Sequence, residues 1–371
     1  MFRRVVSFVL IAAMTLGLTA CSGGNVKEAQ GNKYKIITTI FPEYDWVREI
    51  VGQGHLSADK SAAEDYDITM LLDNGVDLHS FQPTAADIAN ISTCDMFIYV
   101  GGESDGWVDD ALKEATNKDM IVIDLMDVLK DVVKEEEVVE GMEAEDEDHD
   151  HEDEDHDHED EDHDHEDADE DHDHEDADED HEEGHHHEEG EIEYDEHVWL
   201  SIKNSMTICE YIADKLTQLD NEHADVFKTN LDEFNGKLAE LDNEYKAAVE
   251  SAEVKTILFG DRFPFRYLTD DYGLNYYAAF VGCSAETEAS FETIIFLAGK
   301  VDELGLGAIC TIENSDQKIA NTIKENTKTG DQEILTLNSL QSITSKEVQE
   351  GACYYSTMKD NLEVLKKALG E

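Results

Sequence analysis

The sequence predicts an α/β protein of two lobes, each a mainly parallel sheet flanked by helices. One long rigid helix joins the lobes, and a disordered loop is inserted in the first. Three observations predict this. Short apolar runs alternate with helix-like stretches in two separate regions, one uninterrupted helical pattern lies between them, and a tract of His, Asp and Glu breaks the first region. Strand, helix, strand, taken twice, is the pattern of parallel sheets covered by helices.

The elements follow in chain order. Arg3 and Arg4 precede a mostly apolar run at 5–18, which is short for a membrane span of about 20 residues and fits a signal peptide at 1–20. Leu18-Thr-Ala-Cys21 looks like a bacterial lipobox, whose cysteine is lipidated and becomes the mature N-terminus. The Gly-rich, polar stretch at 21–33 reads as a flexible tether. The expectation is an exported protein, lipid-anchored through Cys21 on the outer face of a bacterial cell membrane.

The first lobe is expected at 34–220, with strands at 34–40, 68–72, 96–100 and 121–125 and helical segments at 43–51, 85–91 and 106–115. The second is expected at 252–371, with strands at 256–259, 276–280, 308–312 and 334–337 and helical segments at 292–304 and 319–326. Between them, 221–251 carries Ala224, Phe227, Leu231, Phe234, Leu238, Leu241, Tyr245 and Val249 at alternating gaps of three and four. That spacing keeps one apolar stripe on one helix face. The three prolines, at 42, 83 and 264, leave this helix uninterrupted.

Net charge is -63, and residues 143–191 hold 32 of the acidic side chains, no basic ones and 12 of the 16 histidines. The rest of the chain still carries -31. Such a surface repels phosphate backbones, which excludes nucleic acid as a partner and favours cations. Besides Cys21, five scattered cysteines form no CxxC, and most of them read as small core residues rather than ligands.

The insert at 134–192 repeats a unit with two histidines. His149 and His151, then His156 and His158, then His163 and His165 recur every seven residues. A looser copy carries His172 and His174, and His181 with His185, His186 and His187 closes the tract. With almost nothing apolar to bury, it reads as a disordered surface loop. Imidazole and carboxylate together suit borderline metals, so the loop reads as a metal collector. The segment from His181 to His185 also matches HExxH, but that protease chemistry needs both imidazoles on one face of a buried helix. Here Gly184 and acidic flanks argue against it.

Outside the loop are four histidines. His223 lies on the polar face of the long helix and His55 in a Gly-rich turn, whereas His79 and His197 lie where α/β proteins bind ligands, beyond strand ends. At these residues the chain resembles the cluster A-I solute-binding proteins, the zinc and manganese receptors of bacterial ABC importers. "HSFQPTAADI" at 79 resembles their PH-x-(Y/F)-x-P-(S/T)-x-x-D segment, and "DEHVWLS" at 195 resembles DPHxWLSP. "YLTDDYGL" at 267 resembles YFxxxYGL, and "ACYYSTMKDNLEVLKKAL" resembles the C-terminal helix of the family.

The resemblance implies one metal in an interlobe cleft, held by His79, His197 and two second-lobe ligands. The third ligand position falls on Arg262, which has only donors, and the fourth on Asn338, a poor zinc ligand. The alternatives are that Asp261 serves instead, that Arg262 holds Asp261 or Glu313 in place, or that the second lobe binds something different. Asn338 and Glu286 in the "GCSAETEAS" turn are further candidates. A loop histidine or water would then complete a tetrahedral site.

The function implied is a monomeric, non-enzymatic Zn2+ receptor serving a membrane permease and its ATPase. The competing readings are a manganese or iron receptor of the same family, an extracellular zinc buffer working through the loop, and a metalloenzyme. The last lacks an evident pairing of open metal position and general base.

Overall fold

The computed structural model describes residues 33–143, 193–284 and 288–371. The first sheet holds β1 (Tyr34–Thr38), β2 (Tyr66–Met70), β3 (Met96–Tyr99) and β4 (Ile121–Asp124), ordered β2-β1-β3-β4. The second holds β5 (Thr256–Phe263), β6 (Asn275–Val281), β7 (Ala308–Ile312) and β8 (Glu333–Leu337), ordered β6-β5-β7-β8. All six strand pairings are parallel. Strand order therefore reverses beside the first strand of each sheet, and the carboxyl ends there are where open α/β sheets bind ligands.

The described helices are α1 (Phe41–Val51), α2 (Ala85–Ile91), α3 (Val108–Lys113), α4 (Leu125–Val128), α5 (Ile202–Leu219), α6 (Ala224–Ser251), α7 (Arg266–Tyr272), α8 (Phe291–Leu304), α9 (Lys318–Glu325), α10 (Ser345–Glu350) and α11 (Tyr354–Ala368). Helix α5 has no counterpart among the expected elements. Its signals were nonetheless present: Ser201 caps it by accepting from the Asn204 N–H, and Ile202, Ile208, Cys209, Ile212 and Leu216 share its buried face. Strand β5 runs past the expected 256–259, with a register shift against β6 between Phe259 and Arg262. That irregular end carries Asp261 and Arg262 to the cleft.

Helix α6 has 28 residues, about 42 Å at 1.5 Å per residue. Phe227, Phe234, Leu238, Leu241, Tyr245 and Val249 are buried as the stripe requires, and Ala224 and Leu231 are half-buried. It packs on α1 and α5 of the first lobe and on α7 and α11 of the second. Buried Asn230 fixes its first-lobe end by donating to the carbonyls of Ile50 (2.9 Å) and Asp59 (2.8 Å). At the other end the Tyr245 hydroxyl donates to the Met358 carbonyl at 2.5 Å.

One apolar core runs through both lobes, from Ile36 and Phe97 through Trp199 to Phe259 and Leu337. A smaller cluster lies beneath α8 and α9. Trp199 Nε1 donates to the Ser339 carbonyl at 2.7 Å, and the Tyr354 N–H donates to Asp45 at 2.8 Å. Separating the lobes would expose this shared core, at a cost of roughly 25 cal/mol per Å2 of apolar surface.

The insert is shorter than the expected 134–192. Glu135 pairs with Tyr194, and Glu143 bridges to Phe280, its N–H donating to the Ala279 carbonyl at 2.9 Å. Residues 134–143 thus cross from the first lobe to edge strand β6, held also by the Arg266–Glu137 ion pair at 3.0 Å and by Lys134–Asp270 at 2.6 Å. Unpaired backbone on that edge recruits this stretch, a non-local pairing that composition does not reveal.

Several expected site residues lie outside the described residues. They are the twelve loop histidines, namely His149, His151, His156, His158, His163, His165, His172, His174, His181, His185, His186 and His187, together with Cys21 and Glu286. No described helix is long and apolar enough to cross a membrane.

Candidate metal centre

His79 sits in the 3-10 turn Leu78–Ser80 after β2, where Asp77 caps the turn by accepting the His79 N–H at 3.1 Å. His197 is fully buried just ahead of the turn Val198–Leu200, and Asp195 accepts its backbone N–H at 2.9 Å. The two turns bring His79 Nε2 and His197 Nε2 to 3.3 Å.

The opposite nitrogens are anchored. His197 Nδ1 lies 3.0 Å from Asp195 Oδ1. A carboxylate only accepts, so that nitrogen carries the proton. His79 Nδ1 lies 2.7 Å from Ser104 Oγ and 3.7 Å from Glu196 Oε2. Ser104 is held in turn by Glu196, which accepts its backbone N–H at 2.9 Å and its hydroxyl hydrogen bond. With the Nδ1 positions occupied by protons, two Nε2 lone pairs face each other, and a cation or one shared proton relieves the repulsion.

Titration behaviour reflects that coupling. Burial, then His197 itself, pushes His79 down to about 3. Burial opposes charge on His197 too, but Asp195, followed by Glu196 and Asp77, outweighs it and raises its pKa. Of the two rings, His197 is therefore the one whose surroundings favour an additional proton, and His79 the one that resists it.

The second lobe adds Cys283, directly beyond β6. Its sulfur and one nitrogen of each histidine lie within 4.8 Å of one another, the one such group of His, Cys, Asp and Glu found among the described residues. Glu136 accepts the Cys283 N–H at 3.4 Å. Burial, reinforced by Glu136, Asp195 and Glu196, pushes the thiol up. Gly282 makes the approach possible: a Cβ there would lie 2.9 Å from His197 Cε1 and 3.0 Å from the Phe263 carbonyl oxygen. The cluster opens on a cavity of about 230 Å3 whose wall includes Glu103, Glu136, Glu193 and Glu196, a strongly cation-attracting surround.

The expectation that most of the five scattered cysteines are core residues holds for four of them. Cys94, Cys209, Cys310 and Cys353 are buried as expected, but Cys283 is only partly so. Its one signal in the sequence was its place just past a strand end.

A family model for the periplasmic zinc-uptake complex component A, ZnuA, matches residues 36–368. The chain belongs to the ZnuA family. Zinc-binding protein AdcA of Streptococcus pyogenes serotype M3 is 31% identical over 340 residues, covering 90% of this chain but 56% of that protein. The chain thus spans little more than half the length of these AdcA relatives. High-affinity zinc uptake system protein ZnuA of Bacillus subtilis is 26% identical over 372 residues, 100% of this chain and 99% of that one. The Zn(II)-bound ZnuA-like domain of Streptococcus pneumoniae AdcA has the same fold, with a TM-score of 0.62 at 23% identity over 91% of this chain and 100% of that one. The metal-dependent lipoprotein YcdH of Bacillus subtilis gives 0.63 at 23% identity, over 91% of this chain and 99% of that one.

Within this ZnuA-family chain the other two expected ligands among the described residues, Asp261 and Asn338, stand outside the group formed by the histidines. Asp261 accepts the N–H groups of Arg262 (2.9 Å) and Ile312 (3.3 Å) and faces a separate cavity of about 490 Å3. Asn338 sits beyond β8, its amide oxygen accepting the Leu340 N–H at 2.7 Å. Arg262 holds neither Asp261 nor Glu313 by its side chain. Its guanidinium pairs with Asp77 at 2.7 Å, and Gln341 Nε2 donates to the same oxygen at 3.3 Å. Burial opposes charge on Asp77, yet Arg262 and His79 hold its carboxyl below the usual range. Glu313 instead accepts from Ser339 N (2.7 Å), Ser339 Oγ (2.6 Å) and Ser342 Oγ (3.0 Å). His223, expected on the polar face of the long helix, precedes α6 and sets its Nδ1 2.7 Å from Asp220 Oδ2 at the junction with α5.

Proposed function

We propose that the chain is an extracytoplasmic receptor that captures Zn2+ as cargo between its lobes and delivers it to a membrane ABC permease and its ATPase. The observation that carries this reading is the pair of imidazoles, His197 buried and His79 half-buried, each with Nδ1 anchored and Nε2 turned to a common point. Such an arrangement binds and releases a borderline cation and does no covalent chemistry. The near-continuous core and the α6 strut favour capture in a preformed cleft over wide hinge closure. The His-rich tract at 143–191 concentrates cations beside the cleft, and lipid on Cys21 holds the monomeric receptor at the membrane.

Metal counting with competitive zinc titration tests this, using the 22–371 form, an internal deletion of 145–191, and that deletion with His79→Ala. The deletion boundary keeps Glu143 on β6. One tight zinc in the deletion, lost with His79, is expected. Loss of all tight binding with the tract would instead make the protein a zinc buffer.

A further inference from the structure

We infer that Cys283 is the second lobe's ligand to the transported ion, so that the cleft binds its cargo through two imidazoles and one thiolate. This deepens the receptor reading and rests on it. Three described second-lobe polar groups near the cleft are already engaged. Arg262 is a cation committed to Asp77, Asp261 is committed to two backbone N–H groups, and Glu313 to Ser339 and Ser342. None of them enters the group formed by the two histidines, whereas the Cys283 sulfur does.

Two features of the chain place that sulfur. Gly282 lets the backbone close on the His197 ring, with no room for a Cβ. Glu136, on the strap that crosses from the first lobe, holds the Cys283 N–H. The strap is therefore part of the site: it ties the thiol-bearing turn to the lobe that carries both histidines. Arg262, by pairing with Asp77, ties the same second-lobe edge to the cap of the His79 turn.

The donor set decides the cargo class. Two imidazoles and a thiolate suit borderline to soft ions such as Zn2+, Co2+ and Cd2+, and disfavour Mn2+, which prefers oxygen. Binding forms a metal–sulfur bond as the thiol S–H bond breaks, and the thiol proton leaves to solvent. No oxidant or reductant takes part.

The test is cobalt substitution of the 22–371 form with one equivalent of Co2+ under reducing conditions. The tract 144–192 contains no cysteine, so a thiolate-to-cobalt charge-transfer band in the near ultraviolet reports a cysteine ligand and not the tract. The band is expected in the wild type, absent in Cys283→Ser, and absent in Cys283→His. In the tract-deleted background, Cys283→Ser should bind zinc more than about 100-fold more weakly, since losing even an outer partner of a ligand costs 10–100-fold. Cys283→His should recover much of that loss, which a merely misfolded serine variant would not explain. Absence of the band from the cobalt-loaded wild type would overturn the inference by itself, whatever the variants do. Tight zinc that needs His79 but ignores Cys283 sinks this inference and spares the receptor reading; tight zinc that ignores His79 sinks the receptor reading.

Discussion

The ion pair of Arg262 with Asp77 joins the lobes at the cleft edge, and replacing Arg262 with Met measures its worth. The side chains are 19% and 24% exposed and meet at 2.7 Å. At about 4 Å between charge centres and an effective dielectric near 20, the gross attraction is about 4 kcal/mol. Desolvation and side-chain ordering offset much of it, so the expected net coupling is about 1–2 kcal/mol, between surface and buried pairs. The assay is a double-mutant cycle of Arg262→Met and Asp77→Asn, read by denaturant unfolding of the metal-free protein. Arg262→Met alone should also loosen the His79 turn, because Asp77 both caps that turn and answers the guanidinium. A coupling under about 0.3 kcal/mol, the scatter expected of independent sites, would refute the latch.

Gly282→Ala should weaken zinc binding at least about tenfold while leaving the rest of the fold intact, because the new Cβ presses on His197; competitive titration with far-ultraviolet circular dichroism as the fold control checks it. Zinc affinity should fall as pH drops through the raised pKa of His197, since below it the imidazole proton must be displaced; His79, near 3, should add no step of its own above pH 5. Stability of the metal-free chain should carry a contribution from Asp105 that is present below the ordinary aspartate pKa and lost as pH rises through about 7. Burial is the main cause there, and one Asp105 oxygen has no partner while the other accepts from Val100 and Gly101. The loss is bounded by about 4 kcal/mol at 1.36 kcal/mol per pKa unit, and Asp105→Asn should flatten the pH dependence of unfolding by urea.

Local pattern made most of the architecture legible. Eight apolar runs bounded by turns mark the eight strands, and gaps of three and four from Phe227 to Val249 mark α6, because burial on one face imposes its period on neighbouring residues. His79 and His197 were legible for a different reason: each lies in a short motif beyond a strand end, followed by a capped helix, α2 through Thr84 and Asp87 in one case and α5 through Ser201 in the other. Helix α5 was readable by the same periodicity and its Ser201 cap, and was missed only beside the louder acidic tract.

What sequence alone determined is thus whatever a residue and its near neighbours decide: the order of strands and helices, the strut, and two imidazoles placed beyond strand ends. Tertiary structure decided the rest. Cys283 meets His79 and His197 across more than eighty residues of chain, Arg262 turns from Asp261 to Asp77, and residues 134–143 leave the loop to join β6. None of these choices has a local period or cap to announce it. Each is settled by which donor, acceptor or unpaired strand edge the packed lobes bring within reach, and that is a property of the closed core.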